Sequence, residues 1–371
     1  MIPGSFISYL LYSLECRFIP FPSKSISGLP KIWLWFTPLY KSGGWGKFSV
    51  YEIMSFDIYQ ETLNADNRIR GMIRETTLDH SRSLTKMGDS QVYMKLENLQ
   101  YTGSFKLRGA MNKILSLGQE DMNRGVVAAS SGNHGAAVAY TLNKLNIPGR
   151  VYVPEDASPT KIETIQDYGV EVLVEGSDCV IAEAVARQYS EMNGMTFVSP
   201  YNDSLVVAGQ GTIAVELQHQ LDEIDAVFVS LGGGGLISGI SGYLKKVNPG
   251  IKIIGCSPEN SPVMISSIRA GEILDIESQP TLSDGTAGGV EEGAITFDLC
   301  KKLVDDFILV TEEEISAAMR SFIEKEHLLI EGAAAVAIAG FLKLKNDYLD
   351  QKVVIIICGG NIGLETIKKI L

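Results

Sequence analysis

Lys106 sits in the segment Tyr101-Thr102-Gly103-Ser104-Phe105-Lys106-Leu107-Arg108-Gly109 and falls in the first turn of a predicted helix. The positive end of a helix dipole disfavours a cation there. That helps an amine that must lose its proton and attack an aldehyde. A surface lysine that happens to start a helix fits the same segment. A second segment, Ser130-Ser131-Gly132-Asn133-His134-Gly135, follows a predicted strand. Its small residues let backbone N–H groups reach an anion at a helix start, and Asn133 offers an amide for hydrogen bonding. An ordinary N-cap, with His134 bonded to one backbone group, fits it equally. The third segment is Gly232-Gly233-Gly234-Gly235, between a predicted strand and a helix. Each glycine costs roughly 0.5–1 kcal/mol in backbone entropy relative to Ala. A phosphate held on bare backbone amides accounts for that cost. Ile237 or Ser238 stands where G-x-G-x-x-G needs its third glycine, and G-x-x-x-x-G-K-[ST] is absent, so dinucleotide and P-loop readings lose their support. The fourth, Cys358-Gly359-Gly360-Asn361, closes a predicted strand and by itself is only a turn with a cysteine.

Elements that position these segments are visible in the pattern. Gln91–Glu97, Val126–Ala129, Arg150–Val153, Glu171–Val174, Ala226–Leu231, Lys252–Gly255, Phe307–Val310 and Val353–Ile357 read as strands. They are short and mostly Val- and Ile-rich, as in strands buried on both faces. Phe105–Leu117, Asn133–Asn146, Pro159–Tyr168, Cys179–Met192, Leu236–Val247, Pro262–Ala270, Glu312–Glu326 and Gly332–Leu344 read as helices. Such alternation predicts an α/β fold with parallel sheets, whose ligands bind where strands end and helices begin.

The 371 residues include 32 Lys plus Arg and 44 Asp plus Glu, a formal net charge of −12. That balance argues against nucleic acid and anionic membranes as partners. The cysteines are odd in number, widely spaced and without a CxxC pair, which argues against disulfides or zinc and for a reducing cytoplasm. Residues 1–53 differ in texture: they hold all three Trp and several Pro, while Met54 opens a polar, helical stretch. They lack the basic start of a signal peptide and the roughly 20 apolar residues of a membrane span. They read as a poorly ordered N-terminal extension or as lying before a natural start at Met54; a targeting or docking segment is the alternative. Sequencing the native N-terminus decides, and a chain beginning at Met1 would exclude a start at Met54.

In order and spacing, Ser104-Phe105-Lys106-Leu107-Arg108-Gly109, Ser130-Ser131-Gly132-Asn133-His134-Gly135, the tetraglycine and Cys358-Gly359-Gly360-Asn361 resemble the fold-type-II pyridoxal-phosphate enzymes. Within them, the histidine of the second motif resembles the threonine/serine dehydratase and serine racemase group. The resemblance runs from about Met54 to Leu371 and implies a two-lobed α/β enzyme with twisted, mostly parallel sheets flanked by helices. The smaller lobe would be 125–200 and the larger 54–124 with 201–371. It implies pyridoxal phosphate as cofactor and Lys106 as the Schiff-base lysine and the base at the substrate Cα. Phe105 would pack beside the ring, Asn133 would bond its 3′-hydroxyl, and Cys358 would face its nitrogen. Gly232, Gly233, Gly234, Gly235 and the amide of Leu236 would hold the phosphate. Ser130, Ser131, Gly132, Asn133 and His134 would grip the substrate carboxylate, with Ser131 the second acid/base if the enzyme racemises. The implied activity is dehydration of a β-hydroxy amino acid such as threonine or serine to a 2-oxo acid and ammonia. Serine racemisation and 3-hydroxyaspartate dehydration are alternatives; a nucleotide-dependent oxidoreductase is remote. The resemblance also implies a homodimer or homotetramer. The family's acidic metal ligands align with Ser257 and with Val263 or Met264, so no metal is expected. Ser283-Asp284-Gly285-Thr286-Ala287-Gly288-Gly289 would lie over the cofactor, unless it is a plain surface loop. Glu331 either approaches the site or simply suits the start of its helix.

Overall fold

The computed structural model describes residues 56–371; the reading of residues 1–53 lies outside the described residues. Among the described residues ten strands form two sheets: β1 (Leu78–His80), β2 (Gln91–Leu96), β3 (Val126–Ala129), β4 (Gly149–Val153), β5 (Glu171–Val174), β6 (Thr196–Phe197), β7 (Ala226–Ser230), β8 (Lys252–Pro258), β9 (Asp306–Val310) and β10 (Lys352–Ile357). The larger sheet has the order β1-β2-β10-β7-β8-β9 and the smaller β5-β4-β3-β6. Only β1 runs antiparallel to its neighbour, by pairing with β2; every other pairing is parallel. All four strands of the smaller sheet fall between Val126 and Phe197.

Register decides what emerges together. Ile357 of β10 pairs with Leu96 of β2, and Ile355 of β10 with Phe228 of β7. The loops before Lys106, after Ser230 and from Cys358 therefore leave the same edge of the larger sheet. The helices begin where local chemistry permits. Asp57, Asp178 and Asp203 accept backbone N–H groups at three helix starts. Thr311 and Glu314 form a reciprocal capping box at a fourth.

One long helix, Ser204–Gln220, has no counterpart in the sequence reading, and it is the centre of the molecule. Its residues from Val206 through Leu217 are buried. A helix covered all round has no polar face, so it lacks the 3.6-residue alternation by which helices are recognised. Its glycines also argue locally against a helix. They are there for close approach: a Cβ on Gly209 would lie 2.7 Å from the Arg108 carbonyl oxygen and 2.7 Å from the Gly109 Cα. On the far side, a Cβ on Gly239 would meet the Val207 carbonyl and lie 2.6 Å from the Gly211 nitrogen. The Ser204–Gln220 helix thus clamps the helix carrying Lys106 against the helix that follows the tetraglycine. Gly239→Ala should destabilise the protein by about 1–3 kcal/mol through overpacking; an unchanged urea midpoint would contradict this contact.

Candidate active site

The Lys106–Leu115 helix starts without a side-chain cap. Its approach loop is knitted to the segment after β10: Ser104 bridges Gly359, the Phe105 N–H donates to the Cys358 carbonyl (3.0 Å), and the Gly360 N–H donates to the Gly103 carbonyl (2.9 Å). Those bonds bring Lys106 and Cys358 to one place. Lys106 is half-buried, and its nitrogen donates to the Pro200 carbonyl at 2.9 Å. Burial lowers the proton affinity of its amine from the ordinary 10.5 to about 8, against the opposing pull of Cys358 and Glu331. The Cys358 thiol is buried and held well above its usual value, by burial first and by the nearby Glu331 carboxyl second. It is therefore neutral.

Lys106 is fixed from behind by Arg108, two residues along. The Arg108 guanidinium is fully buried and grips Glu97 (2.8 and 2.8 Å) and Glu216 (2.7 and 2.8 Å). Lys95, also fully buried, donates to Glu216 at 2.6 Å. Burial works against the charge of Arg108, and the two carboxylates outweigh it. Sequence reading quoted Arg108 only as part of a motif, because spacing does not disclose partners as distant in the chain as Glu216.

The Ser130–His134 loop follows β3. Ser130 Oγ accepts from the Gly132 N–H (3.1 Å), and Ser131 is half-buried beside it. Asn133 opens the Asn133–Leu145 helix. Its Nδ2 donates to both oxygens of Glu331 at 2.9 Å, and its Oδ1 accepts from Asn361 Nδ2 at 2.7 Å. His134 is buried, and its Nε2 donates to the Val198 carbonyl at 2.8 Å. Burial, aided by the charge of Lys106, pushes the imidazole down to about 3 despite that bond. Its ring is neutral and engaged, so His134 has its backbone N–H to offer the loop.

The tetraglycine joins β7 to the Gly235–Val247 helix, whose first turn has no acid and no side-chain cap. Its leading N–H groups thus have no intrahelical acceptors. Tyr201 and Thr286 wall the loop: a Cβ on Gly233 would lie 2.6 Å from the Tyr201 ring, and one on Gly232 would lie 2.8 Å from Thr286. Thr296 Oγ1 donates to the Gly233 carbonyl at 2.7 Å. Thr286 belongs to the Ser283–Gly289 segment: Ser283 and Thr286 are buried, the other five residues are exposed, and Asp284 pairs with Lys161 at 2.9 Å. Sequence reading missed Pro200, Tyr201 and Thr296, none of which lies in a glycine-rich or periodic stretch. Among the described residues no His, Cys, Asp and Glu cluster could hold a metal ion. A groove of about 710 Å³ opens at the other end of the smaller sheet, lined by Arg124, Asn143, Arg150, Tyr168 and Tyr189 among others; none of the site residues borders it.

A desolvated lysine facing a neutral thiol, beside an uncapped glycine-loop helix, suits an enzyme that holds a phosphorylated aldehyde on an amine. Residues 69–359 match the family described as pyridoxal-phosphate dependent enzyme; the chain belongs to that family, and pyridoxal phosphate is its cofactor. The L-threonine ammonia-lyase of Thermotoga maritima is 42% identical over 312 residues, 84% of this chain and 77% of that protein. Threonine deaminase isoform 2 of Solanum lycopersicum superposes with a TM-score of 0.81 at 31% identity, covering 85% of this chain and 93% of that one. Maize serine racemase gives 0.80 at 32% identity, covering 84% and 95%. Among the described residues no helix is long and apolar enough to cross a membrane.

Replacing Arg108 by Met should cost roughly 3–5 kcal/mol, because it strands two buried carboxylates. Urea unfolding measures this; a loss below 1 kcal/mol would show that the cluster contributes little.

Proposed function

We propose that this chain is a threonine/serine ammonia-lyase that converts a β-hydroxy amino acid to a 2-oxo acid and ammonia. The observation that carries the reading is Lys106: half-buried, with lowered proton affinity, and gathered with Cys358, Glu331 and His134. The residues present fit the cofactor. The uncapped helix after the tetraglycine has N–H groups to offer a phosphate, so Gly232, Gly233, Gly234, Gly235 and Leu236 would hold it. Pyridoxal phosphate, when bound, supplies an aldehyde for the lysine amine and a ring that withdraws electrons from the substrate α-carbon.

Lys106 Nζ is the anchoring amine and the group that takes the Cα proton. The Ser130–His134 loop, Ser130, Ser131, Gly132, Asn133 and His134, orients the substrate carboxylate with N–H and hydroxyl groups. Phe105 would flank the cofactor ring, and Asn133 would bond its hydroxyl. Cys358 would face the ring nitrogen, where its neutral thiol would bring no charge. Loss of the Cα proton and the β-hydroxyl removes water. The enamine left after release takes up water and loses ammonia. Ser131 favours a second reading, racemisation, in which its hydroxyl would return the proton from the face opposite Lys106; the likeness to maize serine racemase supports it. We read residues 125–200 as the smaller lobe, and the assembly as a cytoplasmic homodimer or homotetramer, from the family resemblance and the free cysteines.

Lys106→Ala should abolish the yellow colour of the protein and lower turnover by roughly 10²–10⁴-fold or more. Borohydride reduction of the wild type followed by peptide mapping should place the pyridoxyl group on Lys106, and a label elsewhere would overturn the assignment. Product analysis with L-threonine and L-serine separates ammonia release from racemisation. Uptake of pyridoxal phosphate by the stripped protein should accelerate with pH as the amine loses its proton, then level off above about 8. A midpoint near the ordinary lysine value would refute the lowered proton affinity.

A further inference from the structure

Three glutamates are buried among the described residues: Glu97, Glu216 and Glu331. The first two are ion-paired with Arg108, and Glu216 also with Lys95. Glu331 has no cation within ion-pairing distance among the described residues; what it faces is an amide. Both its oxygens accept from Asn133 Nδ2 at 2.9 Å. Its own N–H donates to the Gly359 carbonyl at 3.2 Å. Gly359 and Gly285 flank the carboxyl, where added Cβ atoms would lie 2.5 and 3.5 Å from Glu331 Oε1. A buried carboxylate without a cation takes up a proton rather than remain charged.

The orientation of Asn133 follows from a fixed anchor. The Thr102 carbonyl can only accept, and Asn361 Nδ2 donates to it at 2.9 Å. The same nitrogen faces Asn133, which must present its oxygen. The Asn133 nitrogen, with both its hydrogens, is then turned to Glu331. An ionised carboxyl is an acceptor only and holds both hydrogens by charge-assisted bonds. A protonated carboxyl keeps one good acceptor and releases one hydrogen.

We propose that Glu331 is a positioning residue whose proton decides how many of the Asn133 amide hydrogens the site can use. What Asn133 meets there rests on the pyridoxal-phosphate reading; the proton on Glu331 does not. Burial raises the Glu331 carboxyl to about 7, helped by Asp284; Asn133, the Asn361 N–H and Lys161 pull it down. Lys106 and Cys358 also face it electrostatically. The change therefore falls in the physiological range. With its value raised on folding, Glu331 contributes stability that is fully present below the unfolded carboxyl value and lost as pH rises through about 7.

The test uses the full chain as wild type, Glu331→Gln and Asn133→Ala, from pH 5.5 to 8. Two readouts are followed: melting temperature after stripping the cofactor, and affinity for added pyridoxal phosphate. Glutamine is the neutral isostere and mimics the protonated acid. The wild type should lose about 2–5 °C relative to Glu331→Gln as pH rises. Relative to Glu331→Gln, in which Lys106 titrates alike, the affinity of the wild type for pyridoxal phosphate should weaken roughly fivefold over the same range, the value of one hydrogen bond. Glu331→Gln should match the wild type in both readouts at pH 5.5 and exceed it above. Asn133→Ala should keep a pH-dependent melting temperature, while its affinity follows the pH course of Glu331→Gln. If wild type and Glu331→Gln follow the same course with pH in both readouts, the proposal fails. If melting behaves as expected but Asn133→Ala keeps the affinity profile, Glu331 does not act through Asn133 and the proposal also fails. If the wild type takes up no pyridoxal phosphate at any pH, the cofactor reading fails, and the melting data still decide the proton on Glu331.

Discussion

The Arg108 guanidinium is sealed from water, and two carboxylates from different parts of the chain meet it there. Glu97 follows β2, Glu216 lies on the central helix, and Arg108 stands two residues past Lys106. Removing any one of the three leaves a buried charge without its counterpart, at a cost of several kcal/mol. The cluster therefore works as a geometric constraint more than as a source of net stability. It fixes the helix that carries Lys106 in depth and rotation, and Lys95 closes the charge balance at two cations and two anions. A lysine on a long, flexible stem can be placed at a reacting atom only if its helix does not roll.

The close approach of glycine-bearing helices extends that constraint across the molecule. Gly209 brings the central helix onto the backbone of Arg108 and Gly109, and Gly239 brings the helix after the tetraglycine onto the other side. The helix carrying Lys106 and the helix after the tetraglycine are thus set relative to each other through backbone contact. Flexible side chains at that contact would leave their separation loose. The third side of the site is held differently: Asn361 ties the Thr102 loop to Asn133, and Asn133 ties to Glu331. These are hydrogen bonds among mostly neutral groups that run from the exposed Asn361 to the buried Glu331, and they can exchange partners where the ion cluster cannot.

What could be read from the sequence follows the same physical division. The two sheets came from short Val- and Ile-rich runs, and the four loops from residue types that are costly unless used. Strand β3 and the helices Glu312–Glu326 and Gly332–Leu344 have the bounds expected. The Ser204–Gln220 helix was invisible because burial on every side erases the amphipathic signal, and its glycines imitate a loop. Strands β1 and β6, at three and two residues, are too short to carry a pattern. Glu331 was left open between a site residue and a helix-start acid; it sits at the helix start and faces Asn133, and only the fold joins residues 198 positions apart. The residues that wall the glycine loop, Tyr201 and Thr286, act by shape, which no local spacing encodes.

A further regularity concerns charge. Within the site, His134 is neutral because burial and Lys106 oppose its proton, and Cys358 is neutral because burial and Glu331 oppose its ionisation. Glu331 itself is poised between forms, and Lys106 is brought nearer to neutrality. The fixed charges have been moved away, into the Arg108 cluster behind the helix. In such surroundings the strongest local fields come from backbone N–H groups at helix starts, and these favour anions: a phosphate and a carboxylate. With Cys358 facing the ring nitrogen as proposed, its neutral thiol would leave electron withdrawal from the α-carbon modest compared with an acidic partner. Negative charge that develops at that carbon is then best relieved by expelling a leaving group from the neighbouring one. A substrate with a β-hydroxyl offers that outlet, which would connect the neutral Cys358 thiol to elimination.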